Sequence, residues 1–127
     1  MDFGLSTEQE ALRDDVAHFI KENVTPAVMA ELESSLEGGR GPHYDALMQK
    51  VSERGWVGIS WPKEYGGQGG SRIDQYIVEE EFARVGIGVG GAGSGAPAIL
   101  MAGTEEQKKE FLPGLLNGSI IFALGFT

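Results

Sequence analysis

The chain has 127 residues, no cysteine, a formal net charge of −9, and 41% hydrophobic against 23% charged residues. That is enough chain and apolar content for one soluble domain with its own core. Zero cysteines exclude disulfides, thiolate metal sites and cysteine nucleophiles, and the acidic balance argues against nucleic acid or an anionic membrane as partner. No charged-then-apolar leader opens the chain and no apolar run reaches spanning length, so a cytoplasmic protein with no membrane partner is expected.

Charge and glycine are both unevenly spread. Residues 1–37 hold nine Asp/Glu and two Lys/Arg, a balance of −7, which makes this segment a poor place for a polyphosphate ligand. Glycine is the compositional outlier: its 20 residues are about 16% of the chain, against roughly 7% in average proteins. The glycines gather near 38–41, 66–70 and 86–95, as local features and not as low complexity.

Leu5-Ser6-Thr7-Glu8-Gln9 opens the first helix, with Ser6 as N-cap and Gln9 at N3 completing a capping box. Leu12, Val16, Phe19 and Ile20 mark its apolar stripe through about Val24. His18 lies off that stripe and reads as a solvated side chain. Thr25-Pro26 restarts a second helix, with proline at the first helical position, carrying Val28, Met29 and Leu32 to about Leu36. Residues 37–42 form a surface loop. From about His43, a third helix places Tyr44, Leu47, Met48 and Val51 at helical spacing, and Gly55 is its stop.

Residues 55–70 hold both tryptophans, Pro62 and six glycines. Large aromatic surface favours burial, yet proline and glycine rule out one continuous helix. The expectation is a wide, ordered loop that pins Trp56, Trp61 and Tyr65 into a core while glycines take positive φ. Ser71 to Asp74 then cap a helix from about Ile73 to Val85, buried through Ile77, Val78, Phe82 and Val85. Glu79-Glu80-Glu81 invites an acid/base reading; the blander one has two glutamates in solvent and Glu81 paired with Arg84.

Gly88-x-Gly90-x-x-Gly93 formally matches the dinucleotide fingerprint, but a helix precedes it where a strand is needed. Gly93-Ser94-Gly95 is no nucleophile elbow, because the first glycine of Gly-x-Ser-x-Gly is missing. The stretch reads as a helix start or a loose helix whose missing side chains leave open space. Thr104-Glu-Glu-Gln107 is a second capping box. The helix after it carries Phe111, Leu112, Leu115 and Leu116; Pro113 should bend it or break it into two turns, and Asn117-Gly118 ends it. Ser119-Ile-Ile-Phe-Ala-Leu-Gly-Phe-Thr127 is β-rich and apolar, and a lone strand has no ladder partner. It reads as the start of a further domain.

Gly55-Trp-Val-Gly-Ile-Ser-Trp-Pro-Lys-Glu-Tyr-Gly-Gly-Gln-Gly, the glutamate helix, Ala102-Gly-Thr-Glu-Glu-Gln-Lys-Lys109 and Phe111-Leu-Pro-Gly-Leu-Leu-Asn-Gly118 together resemble the acyl-CoA dehydrogenase family. The resemblance covers essentially the whole chain, yet only the N-terminal helical domain and the first strand of the next. It implies an all-α bundle of five to six helices over residues 1–118, with residues 119–127 beginning a middle β domain. The implied chemistry is α,β-desaturation of an acyl-CoA thioester: a glutamate removes the α-proton while the β-hydrogen passes as hydride to FAD. In the family that glutamate lies beyond Thr127, so no catalytic residue is expected here, and no metal.

The resemblance further implies that Leu124, Phe126 and Thr127 lie against the isoalloxazine; the fragment alone is not expected to retain FAD. It implies that residues 88–100 line one wall of the acyl pocket, with Gly90, Gly91, Gly93, Ser94, Pro97 and Ala98 as pocket residues. Six glycines in residues 86–95 then either open that pocket for a bulky, branched or polycyclic acyl group or only allow close helix packing. The implied partners are an acyl-CoA substrate, an electron-transfer flavoprotein or similar acceptor, and further subunits in a homo- or hetero-oligomer. Two alternatives remain: a non-catalytic partner subunit of the same fold, and a stand-alone helical interaction module. The second is disfavoured by the apolar edge that Ile120, Ile121, Phe122 and Leu124 would expose.

Overall fold

The computed structural model describes residues 4–34, 41–89, 95–122 and 125. Six α-helices follow in order: α1 (Thr7–Asn23), α2 (Pro26–Ser34), α3 (Pro42–Glu53), α4 (Arg72–Ala83), α5 (Gly95–Ala102) and α6 (Glu105–Asn117), with one 3-10 turn at Lys63–Tyr65 between α3 and α4. The protein is all-α, and no strand occurs among the described residues. Of the strand expected over residues 119–127, residues 119–122 and 125 are described and form no strand, and the other four lie outside the described residues.

Three helices begin with reciprocal capping boxes, which satisfy amide groups that a helix start leaves unpaired. Ser6 serves Gln9 in α1, Ser71 serves Asp74 in α4, and Thr104 serves Gln107 in α6. At α2, the Thr25 hydroxyl accepts from the Val28 amide at 3.4 Å, just before Pro26. The start of α3 is different. Its N-cap is Gly41, which has no side chain to accept a hydrogen bond. The Glu31 carboxylate of α2 does that work, accepting from the amides of His43 at 3.0 Å and Tyr44 at 2.7 Å.

Pro113 does not break the last helix: α6 runs unbroken from Glu105 to Asn117. Proline removes one i→i−4 hydrogen bond, but Pro113 and Lys109, whose carbonyl loses its donor, are both on the exposed side, where water can serve that carbonyl. The opposite face keeps the helix in place through buried Leu112, Leu115 and Leu116. Gly118, at φ 80°, ends it in the left-handed conformation.

The core lies where α1, α4, α6 and the loop at residues 55–70 meet. Val16, Val51, Val78, Phe82, Ile87 and Leu112 are its most completely buried side chains. Phe19 meets Trp56 edge-on at 5.1 Å between ring centroids, and Phe82 lies 6.2 and 6.4 Å from the same two rings, spacings at which aromatic edges and faces attract. Arg54 lies over the Trp56 ring at 4.5 Å and pairs with Asp15, tying the end of α3 to α1.

Trp56, Trp61 and Tyr65 are all buried in the loop, as the aromatic content requires. The loop is knotted by its own backbone: the Gly69 amide donates to the Trp61 carbonyl at 2.8 Å, and Gly70 to Ile59 at 2.9 Å. Gly58 (φ 65°) and Gly66 (φ 95°) flank a space that Leu116 of α6 fills. A Cβ on Gly66 would lie 2.9 Å from a Leu116 methyl, and one on Gly58 would overlap the other methyl. Both glycines are therefore required twice over, for backbone conformation and for room.

Candidate functional site

A groove of about 860 Å³ opens between α3 and the chain leaving α6, a volume within the range of small-molecule sites. Met48 of α3, Val57, Val89, Leu115, Ile120 and Phe122 supply its apolar surface. Asp45, Gln49 and Glu53 on α3 and Asn117 and Ser119 opposite supply polar groups. No Lys, Arg or His occurs among the described residues that line it, while Asp45 and Glu53 do, so the groove disfavours a phosphate; its lining is about equally polar and apolar.

Each wall is set by local sequence. α3 reaches the groove because Leu47 and Val51 bury one face, leaving Tyr44, Met48 and Ser52 half-buried on the next. The Ser52 hydroxyl donates to the Leu116 carbonyl at 2.9 Å, joining the two sides at the base. Past Gly118 the chain turns back along α6: the Ser119 amide donates to the Asn117 side chain at 2.9 Å, and the Ile120 amide to the Gly114 carbonyl at 3.0 Å. Ile120 can lie there because Gly114 has no side chain; a Cβ would sit 2.5 Å from the isoleucine Cδ1. Gly88, which has open space where a Cβ would be, and Val89 close the groove where α4 hands over to the glycine-rich stretch.

Of the expected pocket residues, Gly90, Gly91, Gly93 and Ser94 lie outside the described residues, as do Leu124, Phe126 and Thr127, expected against a flavin. Pro97 and Ala98 are exposed on α5. The structure thus brings the beginning of the 88–100 stretch to the groove.

The charged residues singled out in the sequence have partners within the fold. Glu81 is buried and lies 3.7 Å from Arg84, which also reaches Glu80 at 3.6 Å. Glu79 accepts from Gln75 at 2.8 Å, and Gln75 in turn holds the Ser60 hydroxyl, so these groups link α4 to the aromatic loop. Glu79 and Glu80 are half-buried, not fully in solvent. His18 is exposed and 3.1 Å from Glu22. Among the described residues no three His, Asp or Glu side chains are placed to hold a metal ion, and no buried side-chain nitrogen or oxygen lacks a hydrogen-bond partner.

Two ionisable groups are shifted by specific contacts. Desolvation works to raise the Glu31 pKa, but the Tyr44 and His43 amides together outweigh it and hold the carboxyl below its ordinary value. The Tyr65 hydroxyl donates to both oxygens of Glu105, at 2.9 and 2.8 Å. That hydrogen bond, then desolvation and the Glu105 charge, push the phenol up to about 12. Neither contact was visible in sequence, where the partners stand 12 or more residues apart and no local motif joins them.

The sequence model for the family described as acyl-CoA dehydrogenase, N-terminal domain, matches residues 6–119. The chain belongs to the acyl-CoA dehydrogenase family. Among curated relatives, the acyl-CoA dehydrogenase FadE26 of Mycobacterium tuberculosis is 37% identical over 131 residues, covering all of this chain and 32% of its own. The chain thus spans about a third of the length of such acyl-CoA dehydrogenases. Among solved structures, the Tcur3481–Tcur3483 steroid ACAD superposes with a TM-score of 0.75 at 34% identity, covering the whole chain and 33% of that one. An acyl-CoA dehydrogenase from Bacillus anthracis complexed with FAD gives 0.72 at 29% identity, over 91% of this chain and 20% of that one. The all-α fold described above is therefore the family's N-terminal domain.

Proposed function

We propose that this chain forms one wall of the acyl pocket in a FAD-dependent acyl-CoA dehydrogenase that introduces an α,β double bond into an acyl-CoA thioester. The observation that carries the reading is the groove, part apolar and free of cationic lining among the described residues, at the head of the stretch the family resemblance assigns to the pocket wall. FAD, when bound, supplies the acceptor for the β-hydrogen. The glutamate that takes the α-proton lies outside residues 1–127, so this chain contributes binding, orientation and exclusion of water.

Residues 1–118 are then the helical domain, and residues 119–127 lead into a β domain whose first strand brings Leu124, Phe126 and Thr127 to the cofactor. The glycines of residues 86–95 leave room for a bulky acyl group, a reading in keeping with the steroid enzyme among the structural relatives. An electron-transfer flavoprotein or similar carrier would reoxidise the flavin.

The test is to purify the full-length gene product, record its flavin absorbance, and titrate it anaerobically with acyl-CoA thioesters of increasing bulk. Bleaching of the flavin on addition of thioester is the expected result. A flavin-free product, or one whose spectrum no thioester changes, overturns the reading and leaves a non-catalytic partner subunit. Replacing Gly91 or Gly93 by leucine should raise KM for polycyclic thioesters; unchanged turnover of them removes the bulky-substrate part alone.

A further inference from the structure

Phe122 lies on α5 in a particular way. Its ring is seated on Gly95, the first residue of the helix: a Cβ built there would fall 2.6 Å from one ring Cδ and overlap two further ring atoms. Gly95 is buried, while Phe122 keeps 45% of its surface exposed and lines the groove beside Ile120 and Val89. One side of the ring therefore rests on glycine and another faces the groove. The segment bearing it is tied to α6 two residues earlier by the Ile120–Gly114 hydrogen bond.

We propose that Gly95 and Phe122 form a specificity-determining pair, in which the missing side chain at residue 95 sets how far the ring stands into the groove. The pair thereby sets the bulk of acyl group that the groove admits. This rests on the acyl-wall reading above. The physical reason is that a Cβ at residue 95 would overlap ring atoms, so the ring has to move to admit it. Since α5 blocks the ring on one side, a side chain at residue 95 displaces it toward the open side, which is the groove.

The experiment uses the full-length gene product and compares kcat/KM for butyryl-CoA with that for a polycyclic acyl-CoA thioester. Gly95→Ala should shift the ratio of the two about tenfold toward butyryl-CoA, mainly through KM for the larger substrate, a size of effect typical of one methyl in an apolar pocket. Phe122→Ala, which removes the ring atoms seated on Gly95, should shift the ratio the other way. The double variant Gly95→Ala/Phe122→Ala should keep the ratio of Phe122→Ala alone, because the ring atoms that the added methyl would meet are gone. Losses of equal size on both thioesters, or a double variant that merely sums the single effects, overturn the pair. A wild-type protein that turns over neither thioester removes the wall reading itself, a result distinct from an active wild type with an unmoved ratio.

Discussion

Two places in the molecule use glycine to admit a large apolar side chain, and they end differently. In the aromatic loop, Gly58 and Gly66 flank the space for Leu116, which is buried beside Trp61. At the end of α6, Gly95 and Gly114 seat Phe122 and Ile120, but the ring stays half-exposed and faces the groove. The first arrangement removes apolar surface from water on every side and so contributes stability. The second removes it on one side only and leaves a surface for something else to cover. The same device thus serves the core in one region and the candidate site in the other.

The contrast is most open to test with the two phenylalanines. Phe82→Ala, at a ring with no exposed surface, should cost about 3–5 kcal/mol in urea unfolding. Phe122→Ala should cost no more than about 1 kcal/mol, because roughly half of its transfer is already forgone. Equal losses would mean that the exit segment belongs to the core.

The glycines come next. Gly58→Ala places a side chain at positive φ and against Leu116, and should cost about 2–3 kcal/mol. Gly95→Ala meets only a ring with open space behind it and should cost less than about 1 kcal/mol in the same measurement. Thr104→Ala, which uncaps the helix carrying both Leu116 and Gly114, should cost about 1 kcal/mol. It should leave the order of the two glycine variants unchanged.

The smallest effects are titrations. Tyr65 has its pKa raised from 10.0 to about 12 in the fold. Its contribution is therefore complete below about pH 10 and lost as pH rises through about 12. Thermal midpoints followed across that range should fall, and Tyr65→Phe should flatten the fall. Glu31, held below its ordinary value, works in the opposite direction: its cap on α3 contributes above pH 4.5 and is lost as the pH falls. Glu31→Gln should remove that acid dependence, and amide exchange at His43 and Tyr44 should report it directly.

The helix starts were legible because a capping box is written within four consecutive residues, as at Ser6, Ser71 and Thr104. The aromatic loop was legible for a related reason: Trp56, Trp61 and Tyr65 must be buried, while Pro62 and the glycines between them forbid a helix. Pro113 shows the limit of local rules. Its lost hydrogen bond argued for a break, yet the burial of Leu112, Leu115 and Leu116 on the other face outweighs that local cost.

What the sequence by itself determined is the kind of structure: helices with their caps, a core drawn from periodic apolar residues, and a family whose motifs run in order along the chain. These are matters of short-range chemistry, or of composition within a window of a few turns. Only the tertiary structure decided that Glu31 caps a helix other than its own, that Tyr65 holds Glu105, and that Phe122 rests on Gly95 at the edge of the groove. Each of those contacts joins residues 12 or more positions apart. Their meeting depends on how whole helices pack, and no spacing in the sequence encodes that distance.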